Sequence, residues 1–422
     1  MSRTTRRCLI LRAASVAAAG AFCAALAACS GNGPGGTAST GAIGSASTTP
    51  SATSNPSTKV ALLVPLSAKG QPGLIGKSLK QAAELALFER NNPNLQLIIK
   101  DDKGTPEGAR AAADDAIKAG AHLILGPLLA KSVGAAAAVA RPAAVPVVAF
   151  STDRTVAGNG VYLLSFQPGP EVDRVLSYAA RQGKKRFAAL VPQDAFGKIT
   201  EARFKAAAPA EGIEIVALET YPPSANAVLD PMRKISTAIL AAETQGAPVD
   251  ALFIPGAQEN LDMIARLLPQ SKIDLQRIKL IGTGGMDFPS AGREAALVGA
   301  WYPGPDARGW NDFSQRYAKS YGQPPPRIAS LAYDGMSLAL ALAQGAEGQP
   351  YTAATLTRAA GFSGIDGSFR LLPDGTTQRS LAILEVQASG SQVVEAAPSL
   401  QGAAPTAAAS TGGSFFNFLN IN

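Results

Sequence analysis

The side chains that carry nucleophilic or metal chemistry are scarce in this sequence. His122 is the only histidine, and the cysteines are Cys8, Cys23 and Cys29, all close to the amino terminus. A zinc site, or a Ser/His or Cys/His pair, needs a second histidine or a cysteine in the body of the chain. We therefore predict no catalytic residue, no metal site and no cofactor, and we interpret His122, at the start of a predicted strand, as structural.

Two further motifs resemble chemical sites without completing them. The stretch GTGG at 282–285 lacks the Gly-Lys-Ser/Thr ending and the spacing of a phosphate-binding loop, so we interpret it as a tight strand exit. The adjacent pairs Asp101-Asp102 and Asp114-Asp115 point their side chains apart, as expected for a strand end and a solvated helix face. The sequence thus predicts a protein that is not an enzyme.

A set of polar residues instead lies at or just past the ends of predicted strands. Its members are Ser67, Ser151, Thr152, Asp153, Gln258, Glu259 and Asp287. The carboxyl ends of parallel strands meet at one edge of a sheet, where open α/β folds bind ligands. We predict that these residues line a ligand-binding cleft between two such edges. The alternative interpretation is that each is a loop residue that caps a helix.

Alternating strands and helices must position these residues. The run KVALLVPL (59–66) is continuously apolar, as in a strand buried on both faces. The stretch 105–120 has the capping threonine, the early proline and the final glycine of a helix. The alternation runs to VYLLSF (161–166), restarts at RFAALVP (186–192) and continues to IKLIGTG (278–284). The predicted fold class is α/β, with two doubly wound parallel-sheet lobes.

The last part of the body follows a different pattern. The stretch GAWYPGP (299–305) is followed by predicted helices at 309–320 and 327–344. A hairpin with Pro-Asp-Gly at its turn is predicted over 367–387. Residues 397–422 are predicted to be a low-complexity tail.

The amino-terminal residues have the pattern of an export signal. The basic head consists of Arg3, Arg6, Arg7 and Arg12. Residues 16–25 form an apolar run that is too short to span a bilayer. The junction Leu26-Ala27-Ala28-Cys29 resembles the lipobox of bacterial lipoproteins, in which cleavage frees the cysteine to carry the lipid. We predict a lipoprotein signal peptide over 1–28 and lipidation of Cys29; the alternative is an ordinary secretory peptide cut after Ala28.

Residues 29–57 are predicted to be a flexible tether. Between residues 31 and 57 the chain has no charged and no aromatic residue, so it cannot bury enough apolar surface to offset the entropy lost on ordering. A Gly/Ser/Thr-rich coil of this length spans roughly 30 Å on average and about 90 Å when stretched. The expected location is the periplasmic side of a bacterial inner or outer membrane, reached through the lipid anchor only.

Charge argues against nucleic acid as a partner. The chain has 38 Lys and Arg against 31 Asp and Glu, a net charge of +7, and removal of the four leader arginines leaves +3. The remaining basic residues are scattered, whereas a nucleic-acid-binding domain has a basic stripe. No segment after the leader reaches the length of a membrane-spanning apolar helix.

The body of the chain resembles a known family over residues 58–390. VALLVPLS (60–67), the stretch 101–127 and VPVVAFS (145–151) look like the first lobe of the type I periplasmic binding proteins. PQDAFG, DALFIPG, LIGTGGMD and SLAYDGMSLALAL look like the rest of that fold, especially its Leu/Ile/Val-binding branch. The resemblance implies two lobes joined by a three-crossing hinge, with the ligand bound between them.

The resemblance also implies how the body divides between the lobes. The first lobe is assigned residues 58–168 and 304–344, and the second lobe residues 169–303 and 345–396. The crossings are expected near Phe166–Pro170, near Trp301–Pro305 and after the helix that ends near Leu342.

Only some of the ligand-binding residues of the family have a matching residue in this sequence. Ala130 and Asp153 stand where the amino-acid binders have a serine and a threonine that grip the ligand carboxylate. Phe196 stands in the Tyr-Gly element without a hydroxyl, and Glu259 is the acid expected to meet the ligand ammonium. The resemblance implies an amino acid or another small polar ligand, and these departures favour a cationic or polar ligand over leucine.

Three possible functions compete. The first is a lipid-anchored solute-binding protein of an ABC importer, whose partners are a small-molecule ligand and a permease. The second is similar to the penicillin-binding-protein activators, lipoproteins of the same fold that dock on a peptidoglycan synthase, a role that the long tether also suits. The third, an enzyme or an unrelated sensor, has no motif in its favour.

We expect Cys29→Ser to leave the body folded and to release the protein from the membrane, because the Leu26–Cys29 junction is the predicted anchor. Cell fractionation followed by immunoblotting checks this prediction. Retention of the variant in the membrane fraction would contradict it.

Overall fold

The computed structural model describes residues 58–222, 225–288, 290–343 and 349–400. The predicted signal peptide, Cys29, the tether and the tail beyond residue 400 lie outside the described residues. Within the described ranges, no helix is long and apolar enough to cross a membrane.

Strands and helices alternate from residue 58 to residue 163, as the apolar runs predict. The strands are β1 (Thr58–Val64), β2 (Leu95–Asp101), β3 (Leu123–Leu125), β4 (Val147–Ala149) and β5 (Val161–Leu163). The helices are α1 (Gln71–Arg90), α2 (Pro106–Lys118) and α3 (Ala130–Ala140). The Thr105 hydroxyl caps α2 by accepting a hydrogen bond from the Gly108 N–H at 3.0 Å, which confirms the predicted start of that helix.

The alternation restarts at residue 168 and continues to residue 304. The helices are α4 (Pro168–Arg181), α5 (Ala195–Ala210), α6 (Leu229–Thr244) and α7 (Gln258–Leu267). The strands are β6 (Arg186–Pro192), β7 (Glu214–Tyr221), β8 (Ala251–Phe253), β9 (Lys279–Ile281) and β10 (Trp301–Gly304).

The remaining elements are helices followed by short strands. The helices are α8 (Ala307–Tyr321), α9 (Ala329–Ala343) and α10 (Ala353–Leu356). The strands are β11 (Phe362–Gly364), β12 (Gly367–Leu371), β13 (Thr377–Arg379), β14 (Ala382–Val386) and β15 (Ser391–Glu395).

The first lobe is built on a five-stranded parallel sheet in the order β2-β1-β3-β4-β5. Residues 60–64 of the interior strand β1 are fully buried, because helices cover both faces of the sheet. This double burial explains why the strand is continuously apolar rather than alternating.

The second lobe is built on a seven-stranded sheet in the order β15-β14-β10-β9-β8-β6-β7. Its strands β6 to β10 are parallel, while β14 and β15 add an antiparallel edge. Both lobes are therefore doubly wound α/β units, as predicted from the sequence.

The chain passes between the lobes three times. It crosses from β5 to α4, returns from β10 to α8, and crosses again from β13 to β14. After the second crossing, α8 and α9 pack on the first lobe, where the Tyr317 and Tyr321 hydroxyls donate hydrogen bonds to Gln81 of α1 at 2.6 and 2.9 Å.

The assignment of residues 345–396 to the second lobe does not match this packing. Tyr351, Leu356 and Phe369 lie in the same apolar core as strand β1, and the Leu163 N–H of β5 donates a hydrogen bond to the Gly375 carbonyl at 2.8 Å. The third crossing therefore lies at residues 380–381, not after the helix that ends near Leu342. The predicted hairpin over 367–387 is confirmed only as far as residue 379, where β12 pairs with β13, because residues 382–386 form β14 and pair with β10 instead. The attachment of β12 and β13 to β5 has no local sequence signal.

One glycine sets the distance between α5 and the end of β6. A Cβ on Gly197 would lie 1.7 Å from the Pro192 carbonyl oxygen, so only glycine fits the first turn of this helix. Gly134 of α3 provides a contrast, because a Cβ there meets nothing within 4 Å.

We expect Gly197→Ala to lower the free energy of unfolding by about 1–3 kcal/mol or more through this overlap. Gly134→Ala, the matched control, should raise it by about 0.5–1 kcal/mol because alanine favours the helix. Urea denaturation of both variants checks the pair. Equal effects would show that Gly197 does not hold α5 against β6.

Candidate functional site

A cavity of about 570 Å³ lies at the hinge between the lobes. All three crossings form part of its wall, through Phe166 and Pro168, through residues 303–305, and through Leu381. Ligand pockets of this size are typical of small-molecule sites between domains. The cavity is therefore positioned where any change in the angle between the lobes alters its shape.

The second lobe contributes most of the wall from the carboxyl ends of its strands. Asp194, Phe196 and Ile199 follow β6, Gly256 and Ala257 follow β8, and the turn that follows β9 includes Gly284, Gly285 and Asp287. The first lobe faces them with Thr152, after β4, and Arg327, before α9. This placement agrees with the rule that open α/β sheets bind ligands at the carboxyl ends of their strands.

Glu171, in the first turn of α4, is a carboxyl group in the cavity wall. Its Oε2 accepts a hydrogen bond from the Gly284 N–H at 2.9 Å. Protein atoms surround the carboxyl densely, although part of the residue faces the cavity, and this burial raises the pKa of Glu171 to about 7 despite the hydrogen bond. The group therefore changes charge near neutral pH.

The start of α5 places both a charge and apolar groups at the cavity. The Asp194 carboxylate caps the helix by accepting a hydrogen bond from the Gly197 N–H at 2.7 Å. Phe196 and Ile199 follow on the same turn and line the cavity, and Ile199 is 44% exposed. An apolar surface and a carboxylate thus come from one helix end.

Asp287 and Arg327 form an ion pair between the lobes. Arg327 Nη1 lies 3.7 Å from Asp287 Oδ2, and the Tyr302 hydroxyl donates a hydrogen bond to Asp287 Oδ1 at 3.4 Å. Both charged side chains line the cavity, so their attraction links the first lobe to the second at this point.

Arg327, whose side chain is partly exposed, belongs to a group that we call the hinge charge cluster, which also contains the buried Asp334 and Asp366 and the nearly buried Arg379. Arg327 Nη2 lies 2.7 Å from Asp366 Oδ1, and Arg379 Nη1 lies 3.6 Å from Asp334 Oδ2. Burial raises the pKa of Asp334, while the Arg379 charge opposes that rise. The Arg379 guanidinium also lies 5.2 Å from the ring centre of Phe166, which lines the cavity.

Three of the residues predicted from sequence line this cavity, namely Thr152, Phe196 and Asp287. The remaining six do not line it: Ser67, Ala130, Ser151, Asp153, Gln258 and Glu259. The predicted cleft residues are therefore split between the cavity and other positions on the two sheet edges.

The six outlying residues have other surroundings. The exposed Asp153 caps a short turn, where its Oδ1 accepts hydrogen bonds from the Thr155 N–H and hydroxyl at 2.9 and 2.7 Å. Ser151 is buried and accepts a hydrogen bond from the Asp153 N–H, and the Ser67 N–H donates to Asp101. Ala130 is the first residue of α3, and Gln258 and Glu259 are exposed at the start of α7. The capping interpretation describes Asp153 best.

The sequence reasoning missed Glu171, Asp194, Arg327 and the apolar residues Phe166, Ile199 and Leu381. The motifs PQDAFG and GTGG could have indicated part of the cavity wall, because each lies at the end of a strand of the second lobe. Residues of both motifs line the cavity. Glu171 lies in the first turn of α4 and Arg327 lies just before α9, and no local pattern shows which helix starts face the hinge.

The remaining chemical candidates have local roles. His122 precedes β3, and its Nδ1 accepts a hydrogen bond from the Lys59 N–H at 3.2 Å, as expected for a structural residue. Among the described residues, no group of three or more His, Cys, Asp or Glu side chains is placed to hold a metal ion.

Two doubly wound lobes with a cavity at their hinge define a bilobal binding protein. Residues 57–391 match the family model described as "Periplasmic binding protein". The match covers most of the chain, and the chain belongs to this family. No curated protein matches the sequence.

Solved structures share the fold at low identity. A candidate branched-chain amino acid ABC transporter from Rhodospirillum rubrum is 17% identical with a TM-score of 0.69, covering 80% of this chain and 100% of its own. A solute-binding protein from Rhodopseudomonas palustris BisB5, in complex with 3,4-dihydroxybenzoic acid, is 23% identical with a TM-score of 0.57 and coverages of 81% and 98%. The branched-chain amino acid transporter substrate-binding protein LivJ from Streptococcus pneumoniae, in complex with isoleucine, is 19% identical with a TM-score of 0.56 and coverages of 80% and 99%.

The pKa of Glu171 predicts a pH-dependent stability. Its folded-state value of about 7 is above the ordinary 4.5, so the fold favours the neutral form and loses stability as the pH rises from 4.5 to 7. We expect Glu171→Gln, which keeps an acceptor for Gly284, to match the wild type near pH 4.5. At pH 8 it should be more stable, by on the order of 1–2 kcal/mol.

Glu107→Gln is the matched control, because Glu107 lies exposed in the first turn of α2. Its stability should follow the wild-type pH profile in urea denaturation. An identical profile for Glu171→Gln would show that burial does not perturb Glu171.

Proposed function

We propose that the protein binds a small solute in the cavity between its lobes and delivers it to an ABC importer outside the cytoplasm. The observation that carries this proposal is the cavity itself, which is walled by both lobes and by all three crossings. Its size suits a small molecule. The similar proteins named above, which include solute-binding proteins in complex with small acids, support the same class of function.

The geometry provides a way to couple binding to shape. Thr152 and Arg327 contact the cavity from the first lobe, while Glu171 and Phe196 contact it from the second. A solute that touches both sets favours the lobe arrangement in which both contacts form. Hinged closure of this kind is the usual response of two-lobe binding proteins to ligand. The closed form is then the one that a permease recognises.

The positions that grip a carboxylate in amino-acid binders offer no such grip here. Ala130 has no hydroxyl and does not line the cavity. The Asp153 carboxylate accepts hydrogen bonds from Thr155, lies outside the cavity wall and offers no donor to a ligand carboxylate. The proposed ligand is therefore a small polar or charged solute other than leucine.

The anchor and the partner complete the proposal. Lipidation of Cys29 holds the protein at the membrane, and the tether allows the body to reach a permease. Activation of a penicillin-binding protein is the competing function, and the two functions differ in whether the cavity must bind a solute. An activator needs an outer surface for its synthase and does not need an occupied cavity.

We expect Ala195→Trp to abolish solute binding, because Ala195 lines the cavity and is exposed to it at the start of α5. Native mass spectrometry of the freshly purified protein should show a bound small molecule in the wild type and none in the variant. In a thermal-shift screen of amino acids, amines, amides and muropeptides, solutes that raise the melting temperature of the wild type should not raise that of the variant.

Ala206→Trp is the matched control, because Ala206 is exposed on the same helix and lies outside the cavity wall. It should keep both the bound mass and the thermal shifts. A wild-type protein with no bound mass and no shift with any solute would contradict solute binding and favour the activator.

A further inference from the structure

The charged groups that face the cavity are unbalanced. Three carboxyl groups, from Glu171, Asp194 and Asp287, line it together with one guanidinium, from Arg327. A buried anion needs cationic or hydrogen-bonding partners, and it is repelled by carboxylates nearby. The balance of charge therefore disfavours an anionic solute.

The guanidinium of Arg327 is already engaged. It lies 2.7 Å from Asp366 and 3.7 Å from Asp287, and its flat face covers the ring of Trp310 at 4.5 Å. A ligand carboxylate would have to compete with both carboxylates for this group. Arg327 is thus neutralised by the protein and does not act as an anion receptor.

The positive helix ends at the cavity are neutralised in the same way. The amino termini of α4, α5 and α7 lie at its wall, where the aligned peptide dipoles would attract an anion. Each of these helix ends has its own carboxyl group: Glu171 for α4, Asp194 for α5 and Glu259 for α7. The helix ends therefore offer little net attraction for an anionic ligand.

The Glu171 carboxyl has an oxygen, Oε1, that accepts no hydrogen bond from the described residues, and the same cavity has apolar side chains in its wall. Among the described residues, only the Gly284 N–H donates a hydrogen bond to this carboxyl, and it does so to Oε2. Phe166, Phe196 and Leu381 supply apolar surface to the same cavity. The complementary ligand has a positively charged donor and an apolar body.

We propose that the solute is an organic cation, an ammonium group on an apolar body, whose ammonium binds the Glu171 carboxylate. This inference rests on the proposed function and narrows the class of solute. It separates this cavity from sites built to grip the carboxylate of an amino acid or an aromatic acid.

Binding of such a cation should displace a proton. Burial keeps Glu171 partly protonated near pH 7, and a bound ammonium favours its ionised form. The other charged groups that face the cavity are Asp194 from α5, Asp287 after β9 and Arg327 before α9. Cation affinity should therefore rise with pH as Glu171 loses its proton.

Isothermal titration calorimetry of the purified protein with two isosteric probes tests the inference. Phenethylammonium presents a cation and 3-phenylpropanoate an anion on the same apolar body. We expect only phenethylammonium to bind, with an affinity at least about tenfold higher at pH 8 than at about pH 5.5. Titration in buffers of different ionisation enthalpy at about pH 6.5 should show protons released to the buffer.

Glu171→Gln should weaken phenethylammonium binding at least about tenfold at pH 8 and remove its dependence on pH. Glu107→Gln, the exposed first-turn control in α2, should bind like the wild type. The glutamine keeps an acceptor for Gly284, and circular dichroism confirms that each variant is folded.

Binding of 3-phenylpropanoate without phenethylammonium would overturn the inference and leave solute binding in the cavity intact. Phenethylammonium binding that is unchanged in Glu171→Gln would also overturn it. Failure of both probes at millimolar concentration contradicts the organic cation, and the bound mass in native spectra then decides separately whether the cavity binds any solute.

Discussion

The hinge depends on four charged side chains gathered in one place, two of which, Asp334 and Asp366, are fully buried. Asp334 is fully buried in α9, and the charge of its partner Arg379 opposes the rise in pKa that this burial causes, so removal of Arg379 would leave the carboxyl group without its compensating cation. Arg379 ends β13 immediately before the third crossing and lies over Phe166 at the first crossing. The hinge charge cluster therefore fixes two crossings to the same helix.

The hinge charge cluster also determines the balance of charge in the cavity wall. Arg327 joins Asp366 to Asp287, so a side chain that balances buried charge in the first lobe also faces the second lobe across the cavity. The carboxyl groups of Glu171 and Asp194 accept hydrogen bonds from the backbone N–H groups of Gly284 and Gly197, and within the described part of the chain neither forms an ion pair with a guanidinium. Among the described residues, Arg327 is the guanidinium that lines the cavity, and it already pairs with Asp366 and Asp287. The wall is acidic for this reason.

The architecture was readable from the sequence because its signals are local. Double burial makes strands such as β1 continuously apolar, and caps such as Thr105 mark helix starts within three residues. The assignment of β11 to β13 to the first lobe could not be predicted from the sequence, because it depends on long-range contacts such as that of Leu163 with Gly375. The lining of the candidate cavity divides in the same way: strand ends point to Thr152 and Asp287, whereas Glu171 and Arg327 depend on which helix starts meet at the hinge.

The position of the third crossing has a consequence for how the protein matures. The first lobe takes β11 to β13 from residues 362–379, and the second lobe takes β14 and β15 from residues 382–395. Neither lobe has its full set of elements until almost the whole chain has been synthesised or has emerged from a translocation channel. Until then, the strands that form early in each lobe keep part of their apolar surface exposed. Chaperones protect chains in this state from aggregation.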